Sequence, residues 1–150
     1  MQEVLKQFRV VMRSIKQHYL GVEKKCGVSG AQLWALAEIG ENPGIRVGDL
    51  AQALAIHQST ASNLLARLHE LGLIKRTREG EDRRAVQIKL TAKGRTTLRR
   101  APRPFRGVLQ QALAELSTAA LQGLHKDMER LIRRMKIKDR SGEGIPISAI

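Results

Sequence analysis

The chain has 150 residues, with 27 Lys and Arg against 14 Asp and Glu, which leaves a net charge of +13. This length fits one compact domain with a few added helices, and the single cysteine excludes an internal disulfide. Aromatic residues make up only 3% of the chain, no apolar run approaches the ~20 residues of a membrane span, and the N-terminus carries no signal-like apolar stretch. We therefore expect a mainly helical, cytoplasmic protein that is neither secreted nor embedded in a membrane.

An amphipathic helix is predicted over residues 4–22. Its apolar residues recur every three or four positions, as on one face of a helix: Val4, Phe8, Val11, Ile15, Tyr19 and Val22. Ser29 and Gln32 then have the spacing of a capping box, which places the start of a second helix there. The sequence E-N-P-G at 41–44 predicts a turn that ends this second helix.

A helix-turn-helix is predicted next, over residues 47–71. Apolar residues at helical spacing define two short helices, at 47–54 and at roughly 58–71. About three residues, 56–58, separate them, and so short a link forces the two helices to cross sharply. Ala55 occupies the turn position where many such units have glycine.

A β-hairpin follows the two short helices. After Gly72 the apolar period changes from 3.6 residues to 2, which predicts strands over 73–78 and 84–90 with a polar tip at 79–83. In the second strand we expect Val86, Ile88 and Leu90 to face inward. A helix-turn-helix followed directly by a basic hairpin is a winged helix.

Two more helices and a tail are predicted for the rest of the chain. Thr91 can cap a helix that Pro102 and Pro104 must interrupt, because proline removes an amide donor and clashes with the preceding turn. Ser117 can cap a last helix with an apolar stripe at Leu121, Leu124, Met128, Leu131 and Met135. Residues 141–150 have no periodicity and are expected to form a disordered tail.

Positive charge is concentrated in one part of the chain. Residues 75–106 hold 12 basic and 3 acidic side chains, a net +9, whereas residues 26–74 hold 2 basic and 4 acidic ones, a net −2. A charge confined to one segment indicates a surface for a polyanion, most commonly nucleic acid. A solvated basic face without a partner is the alternative.

Three local strings resemble the MarR family of transcriptional regulators. They are G-V-S-x-x-Q at 27–32, L-x-x-L-G-L-I-x-R at 68–76 and D-R-R-A-V-Q-I-K-L-T-A-K-G at 82–94. The resemblance implies a mainly α winged helix-turn-helix with a small β-hairpin wing, flanked by dimerisation helices. It divides the chain into an N-terminal dimerisation helix (1–26), the DNA-binding domain (27–94), C-terminal dimerisation helices (95–140) and the tail (141–150). It also implies a cytoplasmic homodimer that binds a pseudo-palindromic operator, most often as a ligand-responsive repressor.

Candidate DNA-contacting side chains lie on the second helix of the helix-turn-helix and on the wing. The outward face of this recognition helix offers Gln58, Ser59, Thr60, Ser62, Asn63 and Arg67 to the bases of the major groove. The wing offers Lys75, Arg76, Arg78, Arg83, Arg84 and Lys89 to phosphates or to the minor groove. By resemblance, Asp82 orients Arg84 through a salt bridge. Two alternatives stay open: Ser59 and Thr60 only cap the helix, and the wing tip holds a plain ion pair.

A small-molecule site is expected from the resemblance, between the dimerisation helices and the winged helix. Tyr19 and Trp34 are candidate aromatic liners of a pocket for a small phenolic effector, with His18 as a polar candidate; core packing of these aromatics is the alternative. Cys26 is a candidate redox residue, because Lys24 and Lys25 favour its thiolate, although it lies at the end of the first helix and an inert thiol is the competing interpretation.

No enzyme motif, metal-ligand spacing or cofactor motif stands out in the sequence. We therefore expect a non-enzymatic, sequence-specific double-stranded-DNA-binding regulator. An architectural or RNA-binding protein that uses the same basic surface without sequence preference is the alternative, although the wing lacks the aromatic residues that stack on single strands. A winged helix that binds only protein would leave the +9 segment unexplained.

Overall fold

Seven α-helices and one antiparallel hairpin make up the computed structural model, which describes residues 1–78 and 86–149. In chain order, they are α1 (Gln2–Cys26), α2 (Gly30–Glu41), α3 (Val47–Ala53), α4 (Gln58–Glu70), β1 (Ile74–Thr77), β2 (Gln87–Leu90), α5 (Ala92–Arg100), α6 (Val108–Ala114) and α7 (Thr118–Arg134). Two short 3-10 turns, Ser141–Gly144 and Ile147–Ala149, follow α7. The predicted mainly α fold with a small hairpin is confirmed.

The helix boundaries follow from local chemistry that the sequence predicts. Gly27 ends α1 in the left-handed conformation, with φ 66°, which glycine adopts without a steric penalty. The capping box at the start of α2 is present: the Gln32 amide donates to Ser29 Oγ at 3.2 Å, and the Ser29 amide donates to Gln32 Oε1 at 2.8 Å. Ser117 Oγ likewise accepts from the Ala120 amide and caps α7.

The hydrophobic core lies between α2, the helix-turn-helix and the hairpin. Its largest fully buried side chains are Leu33, Leu36, Ile39, Leu50, Leu65, Leu68, Ile88 and Val22. Most of these are leucines that recur at helical spacing, so the helices bury a continuous apolar face with very few aromatic residues. Val86 was expected to face inward, but it lies before β2 and is exposed, so that expectation is wrong.

The turn between α3 and α4 contains a residue with strained backbone. Ala55 adopts φ 52°, the left-handed region that costs an ordinary residue about 1–2 kcal/mol. This is the position where the sequence pattern favours glycine. The Ile56 amide donates to the Ala51 carbonyl at 3.0 Å and closes the turn, so the chain reverses over the four residues 54–57 and α4 crosses α3.

The hairpin pairs Ile74 with Leu90 and Thr77 with Gln87 in antiparallel register. Ile45, just before α3, forms an isolated bridge with Ile88 and extends the sheet by one residue pair. The predicted wing tip, with Asp82, Arg83 and Arg84, lies outside the described residues.

The C-terminal residues differ from the expected disordered tail. Residues 141–149 fold back over α2 and the α3–α4 turn, where the His57 amide donates to the Gly144 carbonyl at 3.1 Å and the Ala31 amide donates to Ser148 Oγ at 3.1 Å. The prediction of disorder is wrong for these residues. Their packing depends on a buried glycine, two turns and alternating isoleucines, which produce no helical or strand periodicity.

Candidate nucleic-acid interface

Helix α4 presents a polar face to solvent because its apolar residues all point the other way. Ala61, Leu65 and Leu68 are buried against the core. The opposite face exposes the short polar side chains that the sequence singled out, together with one arginine: Gln58, Ser59, Ser62, Asn63 and Arg67. Amide and guanidinium groups on one exposed helix face can bind base edges bidentately.

The N-terminus of α4 is not capped by Ser59 or Thr60, contrary to the alternative interpretation of the sequence. Its N-cap residue is His57, and no side-chain capping bond forms there within the described residues. Thr60 is half-buried, and its hydroxyl donates to the Gly144 carbonyl at 3.3 Å. The alternative in which Ser59 and Thr60 cap the helix is therefore not what the structure contains. Arg67 forms an exposed ion pair with Glu70 at 3.0 Å.

The base of the wing brings basic side chains next to the recognition helix. Lys75 and Lys89 are directly paired across the two strands, and like charges placed opposite one another repel. Arg76 and Arg78 are exposed on the same hairpin. Basic side chains gathered at the hairpin base are suited to bind a polyanionic backbone.

The wing base is joined to the end of α4 by a set of hydrogen bonds around Thr91. The Thr91 hydroxyl donates to the Gly72 carbonyl at 2.7 Å and also accepts from the Gly94 amide at 3.0 Å. The Thr91 amide donates to the Leu73 carbonyl at 3.0 Å, and Lys93 Nζ donates to the Leu71 carbonyl at 2.8 Å. The sequence identifies Thr91 as a helix cap, but its second partner and the role of Lys93 follow only from the tertiary fold.

Gly94 is the reason that α5 can approach this junction. A Cβ atom at Gly94 would lie 3.0 Å from the carbonyl carbon of Leu73 and would overlap its oxygen. The string L-T-A-K-G at 90–94 therefore has a physical basis. Thr91 donates hydrogen bonds to the Gly72 and Leu73 carbonyls, and Gly94 leaves room for the Leu73 carbonyl to approach α5.

A cavity of about 240 Å³ lies on the other side of α2, away from the wing. Tyr19 and Trp34, two of the candidate effector residues, line this cavity, whereas the third candidate, His18, does not. The His18 ring lies 5.7 Å from that of Tyr19; burial lowers the pKa of His18, and a backbone hydrogen bond with Pro104 only partly opposes this. The Tyr19 and Trp34 side chains are half-buried, so they can line the cavity and pack on the core at the same time.

A buried carboxylate beside the cavity was missed by sequence reasoning. Glu38 is only 6% exposed, and its Oε1 accepts from Trp34 Nε1 at 2.9 Å and lies 3.3 Å from Arg106 Nη2. Arg106 also lines the cavity. The sequence could have predicted the contact between Trp34 and Glu38, because residues four apart on a helix are neighbours. No local pattern links either residue to Arg106.

Cys26 is not activated in the way that its neighbours in the sequence predict. Burial raises the pKa of the Cys26 thiol, and the nearby Lys25 only partly offsets this. Desolvation therefore outweighs the attraction of the lysines for a thiolate. Lys25 does lower the pKa of the thiol, as the sequence predicts, but the net shift is upward, so the expected thiolate is not favoured.

Two absences within the described residues bear on other functions. In residues 1–78 and 86–149 no three His, Cys, Asp or Glu side chains come together as a metal site. Over the same residues, no helix combines the length and apolar character that crossing a membrane requires.

Comparisons with known proteins point to one family. The model of the MarR family matches residues 27–85. The transcriptional repressor MprA of Escherichia coli is 30% identical over 68% of this chain and 58% of its own length. The repressor MdtR of Bacillus subtilis is 28% identical over 63% of this chain and 61% of its own. The chain thus spans about three fifths of the length of these curated relatives.

A solved structure extends the likeness over most of the chain. The structure of FabT from Streptococcus pneumoniae, solved in complex with DNA, superposes with a TM-score of 0.61 over 90% of this chain and 96% of FabT, at 20% identity. That level of identity shows a shared fold. The family match identifies residues 27–85 as a MarR-family winged helix-turn-helix, and the shared fold extends over most of the chain.

Proposed function

We propose that this protein is a sequence-specific, double-stranded-DNA-binding transcriptional regulator that acts as a homodimer, most simply as a repressor. The observation that carries the proposal is the exposed polar face of α4 beside a basic hairpin. The names of its relatives support it: MprA and MdtR are called repressors, and FabT was solved with DNA. Such a regulator acts where the DNA lies, which the family resemblance implies to be the cytoplasm, and it is not an enzyme.

Each element has a distinct role in this proposal. The α4 face enters the major groove, where Asn63 and Gln58 suit adenine and Arg67 suits guanine or a phosphate. The wing residues fix register through phosphate contacts. Arg83 and Arg84, which lie outside the described residues, are proposed to reach the minor groove, with Asp82 orienting Arg84.

The dimer is supported by apolar stripes that the single chain leaves uncovered. On α1, Val4, Phe8 and Val11 are between 40% and 53% exposed, although Ile15 and Val22 on the same stripe are buried. On α7, every residue of the predicted stripe is at least 37% exposed: Leu121, Leu124, Met128, Leu131 and Met135. Packing only within the monomer would leave these stripes in water, whereas pairing two chains buries both at once.

A variant on α7 tests the dimer. Met128→Glu places a carboxylate in the apolar stripe and should convert the dimer to a monomer in sedimentation velocity. Gln122→Glu adds the same charge to the opposite face of the helix and should leave the mass unchanged. A monomeric wild type, or a dimeric Met128→Glu variant, would contradict the proposal.

DNA binding is tested by titrating the purified protein with duplex from upstream of its own gene and with a shuffled duplex, across a range of salt. If about eight phosphates are neutralised, the slope of log K against log salt should be on the order of −7. A regulator should prefer its operator by at least about a thousandfold. Equal affinity for both duplexes would favour the architectural alternative, and a slope near zero would remove the electrostatic argument.

Two substitutions separate positioning from specificity. Arg78→Ala should weaken binding to both duplexes and make the salt slope less steep by about one, as expected for one phosphate contact. Asn63→Ala should weaken operator binding by about 1–3 kcal/mol with little effect on the shuffled duplex. Arg130→Ala, which removes an exposed arginine from α7, is the control and should change neither.

The cavity is proposed to hold a small aromatic effector, of which a phenolic compound is the simplest kind. Tyr19 and Trp34 supply apolar surface, and Gln110, whose Nε2 donates to the Tyr19 hydroxyl at 3.2 Å, supplies a polar group. The test is a competition titration in which phenolic compounds are added to the preformed DNA complex. Release of DNA by wild type, but not by a Trp34→Ala variant, would support the proposal; the absence of release by any of them would refute it for this class.

A further inference from the structure

The C-terminal strap, residues 141–149, connects three parts of the fold. Its start is fixed to α7, since Arg140 Nη2 lies 2.7 Å from Glu129 Oε1. Its middle accepts two hydrogen bonds at the Gly144 carbonyl, from the His57 amide at 3.1 Å and the Thr60 hydroxyl at 3.3 Å. Its end meets α2, where the Ala31 amide donates to Ser148 Oγ.

The strap is closely packed where it meets the recognition helix. Gly144 is buried, and a Cβ atom there would lie 2.5 Å from Cγ of the His57 ring and closer still to other ring atoms. By contrast, a Cβ atom at Gly142 would have no described heavy atom within 4 Å. A side chain at position 144 therefore requires the exposed His57 ring to move from its place over the strap.

The same strap forms one wall of the cavity. Ile145, Pro146 and Ile147 line it opposite Tyr19 and Trp34. The residue that contacts the N-terminus of α4 is therefore adjacent in sequence to the residues that close the cavity.

The strap contacts the end of α4 that DNA recognition uses. In helix-turn-helix proteins, the N-terminal residues of the recognition helix contact base edges. Here, the Thr60 hydroxyl is engaged by Gly144, and Glu143, whose side chain is 63% exposed, is next in the chain. Arg140 is shared between Glu129 and Glu143, and the Glu143 carboxylate belongs to the residue next to the one that contacts α4, where a negative charge repels phosphates.

We propose that the C-terminal strap is an autoinhibitory element: when docked, it engages His57 and Thr60 at the N-terminal end of the recognition helix, brings Glu143 to that end and opposes DNA binding, and its release frees these contacts and opens the cavity. This inference rests on the proposed DNA-binding function. Because linkage is reciprocal, DNA that binds the released form must also undock the strap.

The test uses the full-length chain and variants that release the strap by different means. Gly144→Ala introduces the clash with His57, and Gly142→Ala adds the same methyl group without one. His57→Ala with Gly144→Ala removes the ring and should restore docking. Ile147→Glu acts independently of His57, by replacing an apolar side chain of the cavity wall with a charged one.

Docking and DNA affinity are measured separately. Trp34 is the only tryptophan of the chain and lines the cavity with the strap, so its emission should shift to longer wavelength on release. Amide hydrogen exchange at residue 57 should accelerate, because that amide loses its acceptor. Kd is then measured for the duplex from upstream of the protein's own gene.

The expected result is that Gly144→Ala and Ile147→Glu both release the strap and tighten DNA binding at least about fivefold, the lower range of known couplings. Gly142→Ala should bind like wild type, and Gly144→Ala should change affinity less than about twofold in the His57→Ala background. Adding DNA to wild type should itself shift the Trp34 emission.

Several results would overturn the inference. If neither release variant changes the Trp34 emission or the exchange at residue 57, the strap is not docked in solution. If both are released while Kd stays equal to that of wild type or rises, the strap does not oppose DNA binding, although the proposed function stands. If no variant binds any duplex, the proposed function and this inference are both wrong.

Discussion

The close contact between α5 and the turn after α4 gives a sharp prediction for Gly94→Ala. Glycine inside the first turn of a helix normally costs stability, so its replacement by alanine should raise the free energy of unfolding by up to about 1 kcal/mol. At Gly94 the added Cβ would instead overlap the Leu73 carbonyl oxygen and lie 3.0 Å from its carbon. Both of these atoms belong to the backbone, so no side chain can rotate away to make room.

The size of the change in unfolding free energy follows from the shift of α5 away from Leu73 that the added Cβ requires. Overpacking of this kind costs about 1–3 kcal/mol, and a shift of α5 away from Leu73 also weakens the bond from the Thr91 amide to the Leu73 carbonyl, worth about 0.5–1.5 kcal/mol. Subtracting the propensity gain of about 1 kcal/mol leaves a net destabilisation of about 1–3 kcal/mol. The sign of the change is therefore opposite to that predicted from helix propensity alone.

Urea denaturation followed by circular dichroism measures this difference, with Gly48→Ala as the control. Gly48 is exposed in the first turn of α3, and a Cβ there would have no described heavy atom within 4 Å. Gly48→Ala should be neutral or slightly stabilising, whereas Gly94→Ala should lower the urea midpoint. An unchanged or higher midpoint for Gly94→Ala would refute the argument that this glycine is required by the approach of the Leu73 carbonyl.

Three further predictions concern separate features. Ala55→Gly should raise the free energy of unfolding by about 0.5–1 kcal/mol in urea, because the relieved left-handed strain exceeds the entropy cost of glycine; a loss of stability would contradict the strain. Arg106→Gln should lower the free energy of unfolding by about 1–3 kcal/mol, a value between those for breaking buried and exposed ion pairs, because the Glu38 side chain keeps only its bond from Trp34. The double variant Glu38→Gln with Arg106→Gln should recover part of this loss, because no unpaired carboxylate is then buried. Because burial raises the pKa of Cys26, alkylation by iodoacetamide should reach its half-maximal rate at a higher pH in the folded protein than in urea. The contribution of this thiol to stability is then present below its unfolded pKa and lost as pH rises through the folded one, and equal alkylation midpoints would contradict this.

The sequence predicts the elements well where the determining interactions are local. The capping box at Ser29, the cap at Thr91 and the unusual turn at Ala55 each depend on residues within four positions, and the structure contains all three. The α4 face follows from helical periodicity for the same reason. Local patterns of this kind fix where helices begin and which side they bury.

Features that depend on distant partners were not predictable. The strap joins Gly144 to His57, 87 residues away, through a buried glycine that carries no pattern of its own. The Glu38–Arg106 pair likewise joins α2 to the segment before α6. The thiol of Cys26 illustrates the same point for electrostatics, because the charged neighbours are visible in the sequence and the burial that outweighs them is not.

The length of α1 has a consequence for how the protein behaves on dilution. Its 25 residues span roughly 37 Å at about 1.5 Å per residue. The apolar residues of its first half are exposed, whereas Ile15 and Val22 in its second half are buried. In the proposed dimer the first half is therefore stabilised by the partner chain and the second half by the chain's own core. Below the dimer dissociation constant the N-terminal turns should fray while the winged helix stays folded, so helix content and thermal midpoint both depend on protein concentration.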